Sequence, residues 1–383
     1  MSATLTYLAG KFVEYTSTLD WVSQQLGRLP SLQGAHTHIG QQLSARLVDA
    51  RRRLAMLHRV VQLNSPALSS RGLSLTNELQ LDILVLSDNY VGAIRIEGEE
   101  EQAFTRSATA AAHRCGLTSV QDLLVSLTSG HAILPAFPTA PLLFAPLRQR
   151  FTLIDLAGMY HEFGHLAFAL HSEIADRLTL AVDTYFLALE QAAGRLTPSE
   201  RADRLRRIRQ ATTYWNLDRL NELFSDIFAT FVLGPAHYYS CIDLAMRYSD
   251  KPHDIDVSDV HPSFGTRITA CRLTLPEDHR RHAVSVAATK LWSEYCRRST
   301  PSNEYRLTSP DDLIQEFVTI ARERLVANGY LAYTPWHDAP SLQLGADINL
   351  EHVLNEATQF LIEHPTSYEA WEERVLPHVF GSP

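Results

Sequence analysis

The chain contains no run of ~18 uninterrupted apolar residues, the length a helix needs to cross a bilayer. Its most apolar long stretch, residues 227–246, is interrupted by Gly234-Pro235, His237 and Asp243. No membrane span is expected. Cysteine is scarce: Cys115, Cys241, Cys271 and Cys296 lie far apart with no C-x-x-C among them. That excludes a zinc knuckle and a dense disulfide framework, and it fits a reducing, cytoplasmic setting. The first residues lack the basic stretch followed by roughly 7–15 apolar residues that export requires, so no signal peptide is expected. Positive charge is also in deficit, because 34 Lys and Arg against 43 Asp and Glu leave a net charge of −9. Such a balance repels nucleic acid and anionic lipid, so neither is expected as a partner. The basic runs Arg51-Arg52-Arg53 and 204–209 read as polar faces of helices. No internal repeat or low-complexity tract is present.

What is present is helical periodicity in a chain of 383 residues, 45% of them hydrophobic, enough for one large core or two to three smaller ones. Residues 4–65 predict a helical hairpin broken around "GRLPSLQGAHTHIG". His36 and His38, two apart, would point to different faces of a helix and read as loop or surface histidines. "GEEEQAF" (98–104) opens a further helix with a solvated acidic face. Prolines at 135, 138, 141 and 146 forbid a helix or a central strand over 130–150. That segment is either an edge strand able to align a peptide backbone or a linker. Thr152 and Asp155 form a capping-box pattern ahead of "LIDLAGMYHEFGHLAFAL". Thr197 and Glu200 form another, with Pro198 at the first helical position, so His171–Trp215 reads as a helical hairpin. Further helices are predicted after Ser309-Pro310-Asp311-Asp312 and over Leu350–Glu363. The expected class is mainly α with few short strands, divided into an N-terminal helical region 1–129, a core 130–299 and a C-terminal helical region 300–383.

Within "YHEFGHLAFALH" (160–171) sits His161-Glu162-Phe163-Gly164-His165. The residue frequencies would produce about 0.04 H-E-x-x-H patterns by chance. On a helix His161 and His165 lie one turn apart on one face and can share an ion. Glu162 sits one position round, close enough to take a proton from a water that the ion acidifies without being a ligand itself. Flanking Leu156, Phe163, Leu166 and Leu170 imply burial, where unpaired histidines would be costly. Gly164 costs about 1 kcal/mol against Ala inside a helix, so it reads as room for a neighbouring element. His171, six past His165, is on the wrong face for the same ion and reads as structural.

A site of this type needs a third protein ligand. In "NLDRLNELFSDIFATFVLG" (216–234) apolar residues at 220, 223, 224, 227, 228, 231 and 232 form a helical stripe. Glu222 and Asp226 lie one turn apart on another face. Glu222 is the candidate ligand, and Asp226 would orient a histidine or pair with an arginine.

H-E-x-x-H followed by a glutamate on a later helix resembles the gluzincin zinc metallopeptidases, and "NELFSD" is similar to the N-E-x-x-S-D of thermolysin-like enzymes. It also fits the E-x-x-x-D of the CAAX prenyl protease and Oma-type family. "HPSFGTRI" (261–268) resembles the H-P-x-x-x-x-R segment of that second family. The resemblance covers roughly residues 150–270. It implies a zincin-like core holding one Zn²⁺ on His161, His165 and Glu222, and a protein or peptide substrate. It further implies that His261 contacts the substrate carbonyl or oxyanion and that Arg267 pairs with Asp226. His253, His237, Tyr238 and Tyr239 rank behind His261. One of Asp254, Asp256 and Asp259 would orient its ring. Family members are often membrane-embedded and this chain has no predicted span, so a membrane substrate does not carry over.

The expected function is a zinc endopeptidase with Glu162 as general base. Its rival is a metallopeptidase fold that acts by binding a regulatory partner, and a third reading is a zinc hydrolase of non-peptide amides.

Overall fold

Helical spacing of apolar residues runs through most of the chain, and helices make up most of the structure. The computed structural model describes residues 3–29, 36–96, 98–128, 131–146, 153–249, 251–297, 299–334 and 349–380. Two compact units are distinguished: Met1–Thr105 with Ser119–Ser126 and Leu134–Phe144, and Arg106–Thr118 with Leu127–Ile133 and Ala145–Pro383. The limits near 129/130 and 299/300 expected from sequence do not coincide with these; the helices of 300–383 belong to the same unit as residues 145–299.

In the first unit, helices Ala3–Arg28 and Thr37–Leu63 pair as the predicted hairpin. The second buries Ile39, Leu43, Leu47, Ala50, Leu54 and Leu57 at three- and four-residue spacing, against Leu5, Leu8, Leu19 and Val22 of the first. Much of "GRLPSLQGAHTHIG" lies outside the described residues. His36 is buried at the start of the second helix rather than exposed, and the half-buried His38 reaches Thr139 Oγ1 through Nε2 at 3.0 Å. Arg51, Arg52 and Arg53 pair with Asp20, Asp49 and Asp82, as a polar helix face should. "GEEEQAF" does open a helix, Glu99–Cys115.

Three short strands, Leu124–Thr128 (β1), Ala132–Leu134 (β2) and Leu142–Pro146 (β3), form a sheet in the order β1-β3-β2. The proline-rich segment therefore supplies an edge strand, β2, and also the central strand β3, which the prolines were expected to exclude. The reason is placement: Pro141 precedes β3 and Pro146 ends it, so the interior of the strand keeps its N–H donors.

In the second unit, helices Ser172–Ala193 and Pro198–Tyr214 form the hairpin expected over 171–215. Glu200 reaches back to the Thr197 backbone N–H at 3.3 Å, closing the capping box. Thr152 lies outside the described residues; Leu153–Leu156 is a 3-10 turn leading into the histidine helix, Ala157–Leu170. The helices expected after 309 and from 350 are Asp311–Ala327 and Leu350–Glu363. The latter is tied to the histidine helix where the Tyr160 hydroxyl donates to Glu351 Oε1 at 2.9 Å. His171 donates or accepts at the Tyr330 hydroxyl, 3.0 Å away, a structural contact as expected. No described helix is long and apolar enough to cross a membrane.

The histidine helix packs against the glutamate helix, Leu217–Leu233. All seven residues of the predicted stripe are buried, and Asn216 caps the helix by accepting from the Arg219 N–H at 3.0 Å. Gly164 is where the two backbones meet: a Cβ there would lie 2.5 Å from Ser225 Cα and 3.0 Å from the Ser225 carbonyl oxygen. Gly164→Ala gains about 1 kcal/mol of helix propensity, but the clash is with backbone and cannot be relieved by a rotamer change. Overpacking of about 1–3 kcal/mol should win. Urea denaturation is expected to show a destabilised variant, and a stabilised one would mean that the helices separate at little cost.

Candidate metal centre

The side chains that the two motifs carry converge. The imidazole of His161 lies between two carboxylates, with Nδ1 2.9 Å from Asp226 Oδ1 and Nε2 3.2 Å from Glu222 Oε2. On the next turn, His165 Nδ1 is 3.1 Å from Asn221 Oδ1 and 3.0 Å from Ser225 Oγ, while its Nε2 is 3.4 Å from Glu222 Oε1. Asp226 is fully buried and accepts two hydrogen bonds from Arg267, from Nε at 2.6 Å and from Nη2 at 2.9 Å. Both alternatives open for Asp226 are thus realised, since it orients His161 and pairs with Arg267.

Asp226 is an ionised acceptor, so His161 donates to it from Nδ1, and the Nε2 atoms of His161 and His165 both lie on the side of the Glu222 carboxylate. Burial opposes a charge on His161, yet Asp226 and Glu222 overcome it and raise the ring to about 10. Burial would raise Glu222 as well, and the His161 ring beside it lowers it instead. Burial likewise works against an ionised Asp226, and the Arg267 guanidinium and His161 hold it well below the usual carboxylate range. The donor set fits a divalent ion: one ligand atom each from His161, His165 and Glu222 lie within 4.8 Å of one another, two imidazole nitrogens and a carboxylate oxygen.

Comparison with protein-family models, curated proteins and solved structures finds no match.

Glu162 is adjacent to this set but not part of it. Its carboxyl is buried, which raises it, while the nearby His161 ring and the Ile133 backbone N–H pull the other way. Ile133 belongs to the edge strand β2. His131, just before that strand, packs on Gly158, one turn ahead of Glu162: a Cβ on that glycine would come within 2.8 Å of its ring. Both ring nitrogens are shut off from solvent, and burial pushes the ring down to about 4.

His261 also reaches the site. Its Nε2 is 3.4 Å from Glu222 Oε2, and its Nδ1 is 2.8 Å from Asp259 Oδ1, so Asp259 is the acid that orients it. His261 does not cap the following helix, Phe264–Thr274; that is done by Ser263, whose hydroxyl accepts from the Thr266 N–H. Sequence reasoning missed what holds His261 in place. Arg219, on the glutamate helix and 4% exposed, donates to the carbonyls of Asp256, Val257 and Asp259, and the Tyr214 hydroxyl accepts from the Ser263 N–H at 3.1 Å. An arginine on the stripe-bearing helix was the one available signal. Asn221 and Ser225 were visible within "NELFSD" without roles; nothing local marked Ile133 or His131. His237 lies 3.6 Å from Asp226 Oδ1, behind the His161 ring, while His253 packs on Tyr305 and bonds Ser299 away from these carboxylates.

Proposed function

We propose that the chain is a zinc-dependent endopeptidase of gluzincin type, with a zincin-like core built on the histidine and glutamate helices. The observation that carries this reading is the convergence of the His161 and His165 Nε2 atoms on the Glu222 carboxylate, with Glu162 beside them and outside the ligand set. Zn²⁺ held by these three residues supplies Lewis-acid polarisation of a peptide carbonyl and acidification of a water.

The remaining work falls to the protein. Glu162, whose carboxyl is raised by burial, is matched to accept a proton from the attacking water and deliver it to the leaving amine. His261, oriented by Asp259, presents Nε2 where a developing oxyanion needs a donor. Asp226 holds His161 in the tautomer that keeps Nε2 free, and Arg267 keeps Asp226 ionised. The edge strand β2, whose Ile133 lies near Glu162, favours a substrate in extended conformation, hence a peptide.

The test is the zinc-to-protein ratio on the wild type and on Glu222→Ala. Substantial zinc in the wild type and a loss of about one equivalent in the variant are the expected results. Protein that neither purifies with zinc nor binds it at His161, His165 and Glu222 would overturn the assignment in favour of a fold that acts by binding a partner.

A further inference from the structure

Behind Asp226, on the side away from Glu222, the second unit holds a cluster that the proposed reaction does not use. Helix Pro235–Tyr248 presents His237 and Cys241 one turn apart, and helix Phe264–Thr274 presents Cys271. All three are buried, at 3%, 5% and 0% exposure. Cys241 Sγ lies 3.2 Å from His237 Nε2 and 3.7 Å from Cys271 Sγ, and one ligand atom from each residue falls within 4.8 Å of the others. His237 Nδ1 has no partner among the described residues, so the polar contacts that orient this ring are on its Nε2 side: Cys241 and, at 3.6 Å, Asp226 Oδ1.

We propose that His237, Cys241 and Cys271 form a second, three-ligand binding site for a thiophilic divalent cation, Zn²⁺ by preference, with one coordination position left to a small non-protein ligand. Tetrahedral zinc with Zn–S of about 2.3 Å and Zn–N of about 2.0–2.1 Å places two sulfurs roughly 3.8 Å apart and sulfur and nitrogen roughly 3.5 Å apart. The observed separations of 3.7 and 3.2 Å are close to these values, so those two pairs need little rearrangement. Charge balances as well. The cation displaces one proton from each thiol, giving two thiolates that neutralise its two charges, and the Asp226–Arg267 pair next to it is already neutral. The cation joins the helix that carries Cys241 to the helix that carries Arg267, and so braces the Arg267–Asp226–His161 chain from behind. The chemistry is distinct from that of the His161, His165 and Glu222 set, which has no sulfur, and the site stands whether or not the chain is a peptidase.

Cadmium discriminates the two sites, because only thiolate ligands give a near-ultraviolet ligand-to-metal absorption with it. Full-length protein stripped of metal under reducing conditions and titrated with Cd²⁺ should develop that band, and elemental analysis should find two equivalents bound. Glu222→Ala should keep the band and lose one equivalent. The paired variant Cys241→Ser with Cys271→Ser should lose the band and keep the other equivalent. Should that pair fail to fold, the variant Cys115→Ser with Cys296→Ser must still show the full band. Absence of the band from wild type, its loss with Cys115 and Cys296, or recovery of Cys241 and Cys271 as a disulfide from freshly isolated protein would each overturn the proposal.

Discussion

Glu162→Gln is expected to bind zinc as the wild type does and to cleave peptides about 10²–10⁴-fold more slowly, the contribution typical of a positioned general base. The substitution keeps the size and one acceptor oxygen, so the fold has no reason to change. What it removes is the ability to hold a proton between the attack of water and the departure of the amine. Because Glu162 is outside the ligand set, metal content separates the two ways of losing activity. A collapse of zinc content would mean that the variant disturbed the helix, and the rate would then carry no mechanistic information. Equal cleavage by variant and wild type, with zinc bound in both, would show that Glu162 is not the base. A peptide library digested in parallel by both proteins and read by mass spectrometry makes the comparison whatever the native substrate is.

Asp226→Ala should be the most destabilising single change at the site. Arg267 is 7% exposed, and its Nε and Nη2 donors both go to Asp226. Deleting the carboxylate leaves a buried guanidinium without its counter-charge and the Nδ1–H of His161 without an acceptor. Breaking a buried pair in this one-sided way costs about 3–5 kcal/mol, which approaches the whole stability of a marginal domain. Urea unfolding measures it directly. Asp226→Asn preserves shape and one acceptor but removes the charge, so a similar loss in that variant assigns the effect to electrostatics rather than to a cavity. A loss below about 1 kcal/mol in Asp226→Ala, the range of exposed pairs, would mean that Arg267 finds water or another partner and that the pair is not what holds the helices together.

Several elements were legible because they are local. The stripe from Leu220 to Val232 identifies the buried face of the glutamate helix, and Thr197 with Pro198 and Glu200 marks a helix start that the structure reproduces. The spacing of His161 and His165 puts both on one helical face, so their shared neighbourhood required only that the segment be helical. Gly164 also spoke locally, since a glycine inside a good helix needs a reason, and Ser225 is that reason. The pairing of Arg267 with Asp226 entered through family resemblance rather than spacing, and the two are hydrogen-bonded in the structure.

Periodicity tells which face of a helix is buried but not what it is buried against, and the illegible elements all lie on the far side of that limit. Asp254, Asp256 and Asp259 were equivalent on paper; Asp259 orients His261 because Arg219 gathers the carbonyls of that loop. The central strand β3 fits between Pro141 and Pro146, which matters only once a sheet exists around it. Cys241 and Cys271 read as scattered thiols until two helices brought their sulfurs within 3.7 Å. Sequence by itself determined the helical class, the histidine and glutamate helices and the residue types able to hold an ion, because these follow from spacing along one chain segment. Only the tertiary structure decided which acid faces which ring, which backbone N–H reaches Glu162 and which thiols meet, because those contacts join segments whose mutual placement is set by packing of the whole core.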